Sequence, residues 1–274
     1  MSPPFSSLKV IELIRRLNPR KASGHDLISN KTIKELPIKG IALITSIFNA
    51  ILRLEYYPKS WKISLITLIP RPGKSIHETS SYRPISLLPI LSKLFEKMLT
   101  KRLLLFLEDL KTMSDHQFGF RKQRSTIDQI RRLAHKISHP GHSAGVRQSE
   151  GLLFELKKIL PHTYYSILKS YLTNRLFMIK YLDAVTATFP IEAGIPQSSV
   201  LGPLLFTIYT TDLPTLTEIT TATFADDTAL LASHSDPIIA SSTLQRGLDS
   251  MEKWFHKWRF KINENKSSRI TFKL

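Results

Sequence analysis

Apolar positions recur at helical or strand spacing along most of this chain, with polar, Gly- and Pro-rich breaks between the runs. After Ser6 and Ser7, the residues Leu8, Ile11, Leu13, Ile14 and Leu17 form an amphipathic stripe that predicts a helix over 6–17, ended before Pro19. Pro, Gly, Ser and Asp cluster in 18–29, which reads as a loop. A long apolar-faced helix is expected over 31–55. Trp61 to Ile69 alternates and is rich in Ile and Leu, the pattern of a strand, and a basic turn, Arg71-Pro72-Gly73-Lys74, follows it. Helical spacing returns over 88–107. Leu91, Leu94, Phe95 and Met98 share one face, with Lys93, Lys97, Lys101 and Arg102 largely off it. Residues 114–126 form a polar, basic connector, and 126–137 and 150–173 again have helical spacing.

Two short strands, 176–182 and 185–192, lead into a Gly- and Pro-containing loop at 193–198 and an apolar helix over 199–211. The β-prone runs Thr221–Phe224 and Thr228–Ala232 flank Asp226 and Asp227, which predicts a hairpin with the two acids in its turn. Ser235-Asp236-Pro237 is a helix start. Leu244, Leu248, Met251, Phe255 and Trp258 then mark a core-facing stripe. The last six residues, RITFKL, read as a strand. The chain has no internal repeat or low-complexity linker. Helices with a hairpin come first and strands mixed with helices after, so the fold class is α/β or α+β, with a lobe boundary near 125.

With 274 residues, 42% of them apolar, the chain has enough material for a real core, which excludes a disordered protein. Lys and Arg total 39 against 22 acids, a net charge of +17 that calls for a polyanion, nucleic acid or an acidic membrane surface. Nucleic acid is favoured, because no long like-charge tail accounts for the excess. The absence of Cys excludes disulfides, thiolate zinc sites and Cys nucleophiles. No apolar run is long enough to cross a bilayer, and MSPPFSSLKV lacks a signal-peptide pattern. The short run 41–54, broken by Asn49 and Arg53, reads as a core helix. An intracellular protein, nuclear or cytoplasmic, with no membrane partner is expected.

Adjacent carboxylates at a hairpin tip repel one another, and a divalent cation removes that repulsion. Hard oxygen ligands favour Mg²⁺ or Mn²⁺. Two such ions can clamp the attacking and leaving oxygens of a phosphoryl transfer. The competing reading of Asp226 and Asp227 is an ordinary solvated turn, since Asp is common in turns. On these residues alone the two readings stand level.

Longer blocks separate them. AGIPQSSVLGPLLFTIYTTDLP (193–214), followed by FADDTALLA (224–232), resembles the palm of jockey-like, non-LTR retrotransposon reverse transcriptases. NPRKASGHDLI (18–28) resembles their lysine-rich N-terminal block. YYPKSWKISLITLIPRPGK (56–74) and SYRPISLLPILSKLFEKML (81–99) resemble their fingers, HQFGFRKQRST (116–126) the next block, and WRFKINENKS (258–267) the segment after the catalytic hairpin. The resemblance implies a right-hand polymerase with fingers over 1–125 and a palm over 126–274, the palm an antiparallel sheet backed by helices. It implies an RNA-directed DNA polymerase acting on an RNA template, a DNA primer and deoxynucleoside triphosphates. Asp226 and Asp227 then resemble two metal-binding carboxylates for Mg²⁺ or Mn²⁺. Arg83 resembles the residue that contacts the triphosphate, with Arg71 or Lys74 sharing the task, since a polyphosphate needs several cations. Gln197 and its neighbour Ser198 resemble the loop against template and primer. Phe120 and Arg121 fall near the template strand, and Lys266 takes the place of a lysine that helps pyrophosphate leave. The histidines show no ligand spacing. An RNA-templated RNA polymerase shares the palm chemistry, but the motif wording argues against it.

The sequence also departs from the family. A third carboxylate belongs on a separate strand, in a block resembling FLDVxKAFDxVWH ahead of the helix that begins EGLL. Here that helix is present at 150–162, but the segment before it, HPGHSAGVRQS (139–149), has no Asp and no strand-like alternation. A palm strand is therefore expected to be missing. The aromatic residue that discriminates deoxyribose from ribose is missing with it. Tyr181-Leu182-Asp183-Ala184 imitates the lost block, but it sits where the family has a hairpin, so Asp183 is assigned to a turn. The family's PQGSVLGP has Gly where this chain has Ser198, a position where close approach or unusual φ/ψ is at stake. By the same resemblance the chain begins after an endonuclease domain and stops before a thumb. Two functional readings remain: a polymerase copy that is defective, and a catalytically dead nucleic-acid-binding remnant. The oligomeric state is not legible.

Overall fold

The computed structural model describes residues 3–73, 75, 77–78, 81–110, 142–145, 149–191, 194–196, 198–224, 227–262 and 267–271. The chain groups into two compact units, each discontinuous in sequence. The first takes Met1–Leu104 and Leu156–Gly202, the second Leu105–Glu155 and Pro203–Leu274. A cut at 125 into fingers and palm divides the chain by motif order, whereas these units divide it by contact.

The first unit opens with α1 (Ser7–Arg15), α2 (Asn30–Lys34) and α3 (Ile38–Leu54). A 3₁₀ turn at Lys59–Lys62 leads into β1 (Ile63–Pro70) and β2 (Tyr82–Leu87), and α4 (Ile90–Asp109) follows. Its later part holds the end of α5 (Ser149–Ile159), then α6 (His162–Leu172), β4 (Leu176–Tyr181), β5 (Ala184–Val185) and β6 (Phe189–Pro190). Strands run in the order β2-β1-β4-β5, with β6 also on β4. β1 pairs antiparallel with β2 and parallel with β4. Phe95 on α4 centres the core, meeting Phe5, Phe48, Tyr57 and Trp61 at ring distances of 6.1, 5.5, 5.8 and 6.3 Å, mostly edge to face. Asn49, the polar break in the apolar run of α3, ties down the N-terminus. It accepts from the Phe5 N–H at 2.6 Å and donates to the Phe5 carbonyl at 3.0 Å.

The second unit carries β3 (His142–Gly145), α7 (Gly202–Tyr209), β7 (Ile219–Phe224), β8 (Asp227–Ala232), α8 (Pro237–Lys257) and β9 (Lys261–Ile262). Its sheet has the order β7-β8-β3-β9. Asp236 caps α8, its carboxylate accepting from the Ile238 N–H at 2.8 Å, with Pro237 in the first turn as the sequence predicts. Under the sheet, Phe260 stacks on Tyr209 at 5.3 Å and on Trp254 at 5.0 Å. Both indoles bind one carboxylate, Trp254 to Asp212 Oδ1 at 3.0 Å and Trp258 to Asp212 Oδ2 at 3.1 Å. Among the described residues no helix is long and apolar enough to cross a membrane.

Several sequence expectations change. The helix drawn over 31–55 is two, because Pro37 cannot continue α2 and instead starts α3. Pro161 splits 150–173 in the same way. β2 was not foreseen within SYRPISL. The helix 199–211 shortens to α7. The run 185–192 holds only the two short strands β5 and β6. On α8 the buried positions are Thr243, Gly247, Met251 and Trp254, while Leu248 is exposed. Gly247 turns that face inward, since a Cβ there would strike the Ile219 side chain of β7. The terminal strand is absent from the described part of 269–274, and β9 is the strand that follows α8. The most consequential correction concerns the missing palm strand. HSAG (142–145), read as having no strand character, is β3, and it fills the position between β8 and β9.

Candidate functional site

In the second unit β7 and β8 pair in register from Ile219↔Ala232 to Phe224↔Asp227. Asp227 is therefore the first residue of β8, a correction to its place in the turn, and two residues join the strands. Asp227 is exposed. β3 lies antiparallel to β8 with His142 opposite Thr228 and Ser143 opposite Asp227. Directly opposed residues share a sheet face, so the register position nearest Asp227 on the neighbouring strand belongs to Ser143. None of the four residues of β3 is acidic. Among the described residues no group of three or more His, Asp or Glu could hold a metal ion. Asp226 and Lys266, like Lys74, Gln197, Phe120 and Arg121, lie outside the described residues.

In the first unit, Arg83 lies opposite Ile69 near the open end of the β1–β2 ladder. The Arg71 N–H donates to the Ser81 carbonyl at 2.7 Å and extends that ladder by one step. Side chains alternate along a strand, so Arg71 and Arg83 fall on one face, on adjacent strands, and both are exposed. Lys180, opposite Thr67 on the parallel β4, falls on the same face and is exposed too. No motif or spacing in the sequence singles out Lys180. In β4–β5 the pair Tyr181↔Ala184 leaves Leu182 and Asp183 as the hairpin turn, so Asp183 is a turn residue as expected.

The loop that carries Ser198 has two further features. A hydrogen bond from the Ser199 N–H to the Pro196 carbonyl, 3.0 Å, closes a four-residue turn. Its third position, Ser198, has φ 77°. That is the left-handed value which type II turns require at this position, and it favours Gly. Behind the turn the chain is held by Glu96 of α4, a residue the sequence left among the polar positions of that helix. Its Oε2 accepts from the N–H groups of Val200 at 2.8 Å and Leu201 at 3.2 Å. Its Oε1 accepts from Ser92 Oγ at 3.1 Å and more weakly from Tyr57 Oη at 3.5 Å. Glu96 is fully buried. Burial pushes its carboxyl up. The Leu201 N–H, the nearby Arg175 guanidinium, the Val200 N–H and Ser92 pull the other way.

Arg175, 1% exposed, donates from Nη1 to the Tyr171 carbonyl at 3.0 Å and covers the Tyr171 ring at 4.5 Å. Its Nε and Nη2 have no hydrogen-bond partner among the described residues. Burial also raises the phenols of Tyr57 and Tyr171, with the Glu96 charge adding to it. A Glu at helical spacing beside Leu94 and Phe95 was the one available signal that this side chain faces inward.

Residues 69–273 match the family model for reverse transcriptase (RNA-dependent DNA polymerase). Over 99% of its length the chain is 37% identical to the probable RNA-directed DNA polymerase from transposon X-element of Drosophila melanogaster, and it covers 32% of that protein. It is 37% identical over its whole length to the probable RNA-directed DNA polymerase from transposon BS of the same fly, covering 33% of it. To the RNA-directed DNA polymerase from mobile element jockey it is 36% identical over 99%, covering 32%. The chain spans about a third of the length of the curated relatives it matches. The match to the transposon BS protein runs over 299 positions, against 274 residues in this chain, so that relative has residues there for which this chain has none.

Proposed function

Because the chain belongs to the reverse transcriptase (RNA-dependent DNA polymerase) family, among jockey-like relatives from non-LTR retrotransposons, we propose that it forms the fingers and palm of an RNA-directed DNA polymerase and that this copy binds primer and template without completing the reaction. In that reaction a primer 3′-OH attacks a deoxynucleoside triphosphate paired to an RNA template, and pyrophosphate leaves. Arg83 and Arg71, on one sheet face, supply fixed positive charge for the triphosphate, with Lys74 beside them in sequence. The turn at Ser198 and its neighbour Gln197 meet template and primer, Phe120 and Arg121 lie along the template, and Lys266 assists the departing pyrophosphate. The net charge of +17 supports the polyanion partner.

Reverse transcriptases use divalent metal, here Mg²⁺ or Mn²⁺, which stabilises the charge that develops on the transferred phosphoryl group. Asp226 and Asp227 would hold one ion. The donor set does not extend to an ordered pair, and the observation that carries this reading is β3: the position opposite Asp227 is Ser143 and none of the strand's four residues is acidic, whereas the family resemblance implies a third carboxylate on a separate strand. The 299-position match to a 274-residue chain supports a lost block as the cause.

The test is primer extension by the purified chain on an RNA template with Mg²⁺ or Mn²⁺. The expected result is salt-sensitive binding of primer–template and no incorporation. Activity returns when an acidic block from an intact relative is inserted ahead of Glu150 and Ser198 is changed to Gly. Incorporation by the unaltered chain that vanishes in Asp226→Ala would show a live enzyme and overturn the reading.

A further inference from the structure

The loop proposed to meet template and primer is fastened from behind by a single carboxylate, and we infer that Glu96 is a positioning residue for primer–template binding. The inference rests on the functional reading of that loop. Glu96 sits on α4, 104 residues before Val200, and its Oε2 receives two consecutive loop amides, at 2.8 and 3.2 Å. Consecutive N–H groups converge on one oxygen only when the backbone between them is held in a bent path, so the carboxylate fixes the direction of the chain as well as its depth. The two bonds come immediately after the turn closed between Pro196 and Ser199, at the start of α7. The carboxylate cannot drift, because Ser92 and Tyr57 hold its other oxygen and Arg175 sets a buried positive charge nearby. Glu96 is fully buried, and a hydrogen bond made in a low-dielectric interior is stronger than the same bond in water. The surface of the loop is thus set by a residue that never reaches the nucleic acid.

The experiment compares Glu96→Met, Glu96→Gln and Ser92→Ala in the full chain. Met matches the shape and removes both acceptors. Gln keeps one carbonyl oxygen for the loop amides. Ser92→Ala removes one of the hydrogen bonds that hold the carboxylate's other oxygen. Amide hydrogen exchange is read at Val200 and Leu201 against amides of α3. Affinity is read with a labelled DNA primer annealed to an RNA template, at fixed salt and without metal. In Glu96→Met the two loop amides are expected to exchange at least about tenfold faster, and affinity to fall about tenfold. Glu96→Gln and Ser92→Ala should each fall between Met and wild type on both readings. Unchanged loop exchange in Glu96→Met, or faster exchange with unchanged affinity, overturns the inference. If Glu96→Met does not fold, Glu96→Gln decides: affinity equal to that of wild type overturns it, and weaker affinity supports it. A wild-type chain that does not bind the hybrid removes the functional reading itself, and the inference falls with it.

Discussion

Replacing Ser198 by Gly should stabilise the protein, and the sign follows from one backbone angle. Ser198 holds φ 77° at the third position of a turn whose Ser199-to-Pro196 hydrogen bond is 3.0 Å. A residue with a Cβ meets its own carbonyl in the left-handed region, at a cost of roughly 1–2 kcal/mol. Glycine has no such contact, but its freer unfolded chain gives back roughly 0.4–1 kcal/mol. The side chain of Ser198 is exposed, so little packing is at stake. The net expectation is about 0.5–1 kcal/mol in favour of Ser198→Gly, taking both terms near mid-range. For a chain of this size that raises the melting temperature by a few degrees at most, on the order of 1–4 °C. Urea unfolding followed by circular dichroism should show the midpoint rise with an unchanged slope. Ser198→Ala separates backbone from side chain, because Ala keeps the Cβ and loses only the hydroxyl. Its stability should stay near that of Ser198. If Ser198→Ala stabilises as much as Ser198→Gly, the hydroxyl is responsible and the account from φ is wrong.

Other perturbations follow from the same geometry. Gly24→Ala sets a Cβ 2.7 Å from the Pro89 nitrogen and 2.8 Å from the Leu88 carbonyl carbon, backbone atoms that cannot step aside, so a loss of about 1–3 kcal/mol is expected in urea unfolding. Asp212→Ala strips the acceptor from both the Trp254 and Trp258 indoles. It should cost about 1–3 kcal/mol and shift tryptophan fluorescence, and an unchanged spectrum would count against the shared carboxylate. Burial holds the Glu96 carboxyl above its unfolded value. The folded state then keeps its proton longer than the unfolded state, so the Glu96 contribution is fullest below the unfolded pKa and is lost as pH rises toward the folded one. Wild type should therefore lose stability relative to Glu96→Gln as pH climbs out of the ordinary carboxylate range. A difference that is flat with pH would refute the shift.

Much of the architecture was legible because it rests on local chemistry. Asp236-Pro237 announces α8, and the β-prone runs around Asp226 and Asp227 announce the β7–β8 hairpin. Even the broken helices at Pro37 and Pro161 carried their own signal, which the apolar periodicity overrode. What the sequence hid depends on distant partners. Glu96 reads as one more polar position on a helix, and its role appears only when Val200 and Leu201 fold back onto it. β3 has no alternating pattern, because four residues pinned between two strands are defined by their neighbours' hydrogen bonds rather than by their own side chains. Lys180 joins the face of Arg83 only through the parallel pairing of β1 with β4.

The presence of β3 separates what folding asks of this segment from what the proposed chemistry asks of it. Sheet pairing draws on peptide groups, which nearly every residue supplies alike, whereas nucleotidyl transfer draws on particular side chains. His142–Gly145 keep the β8 edge covered and so withhold the exposed strand that would invite aggregation or a protease. Pairing with β8 and β9 and the proposed metal chemistry therefore depend on different atoms of the same four residues. A sequence can satisfy the first and fail the second.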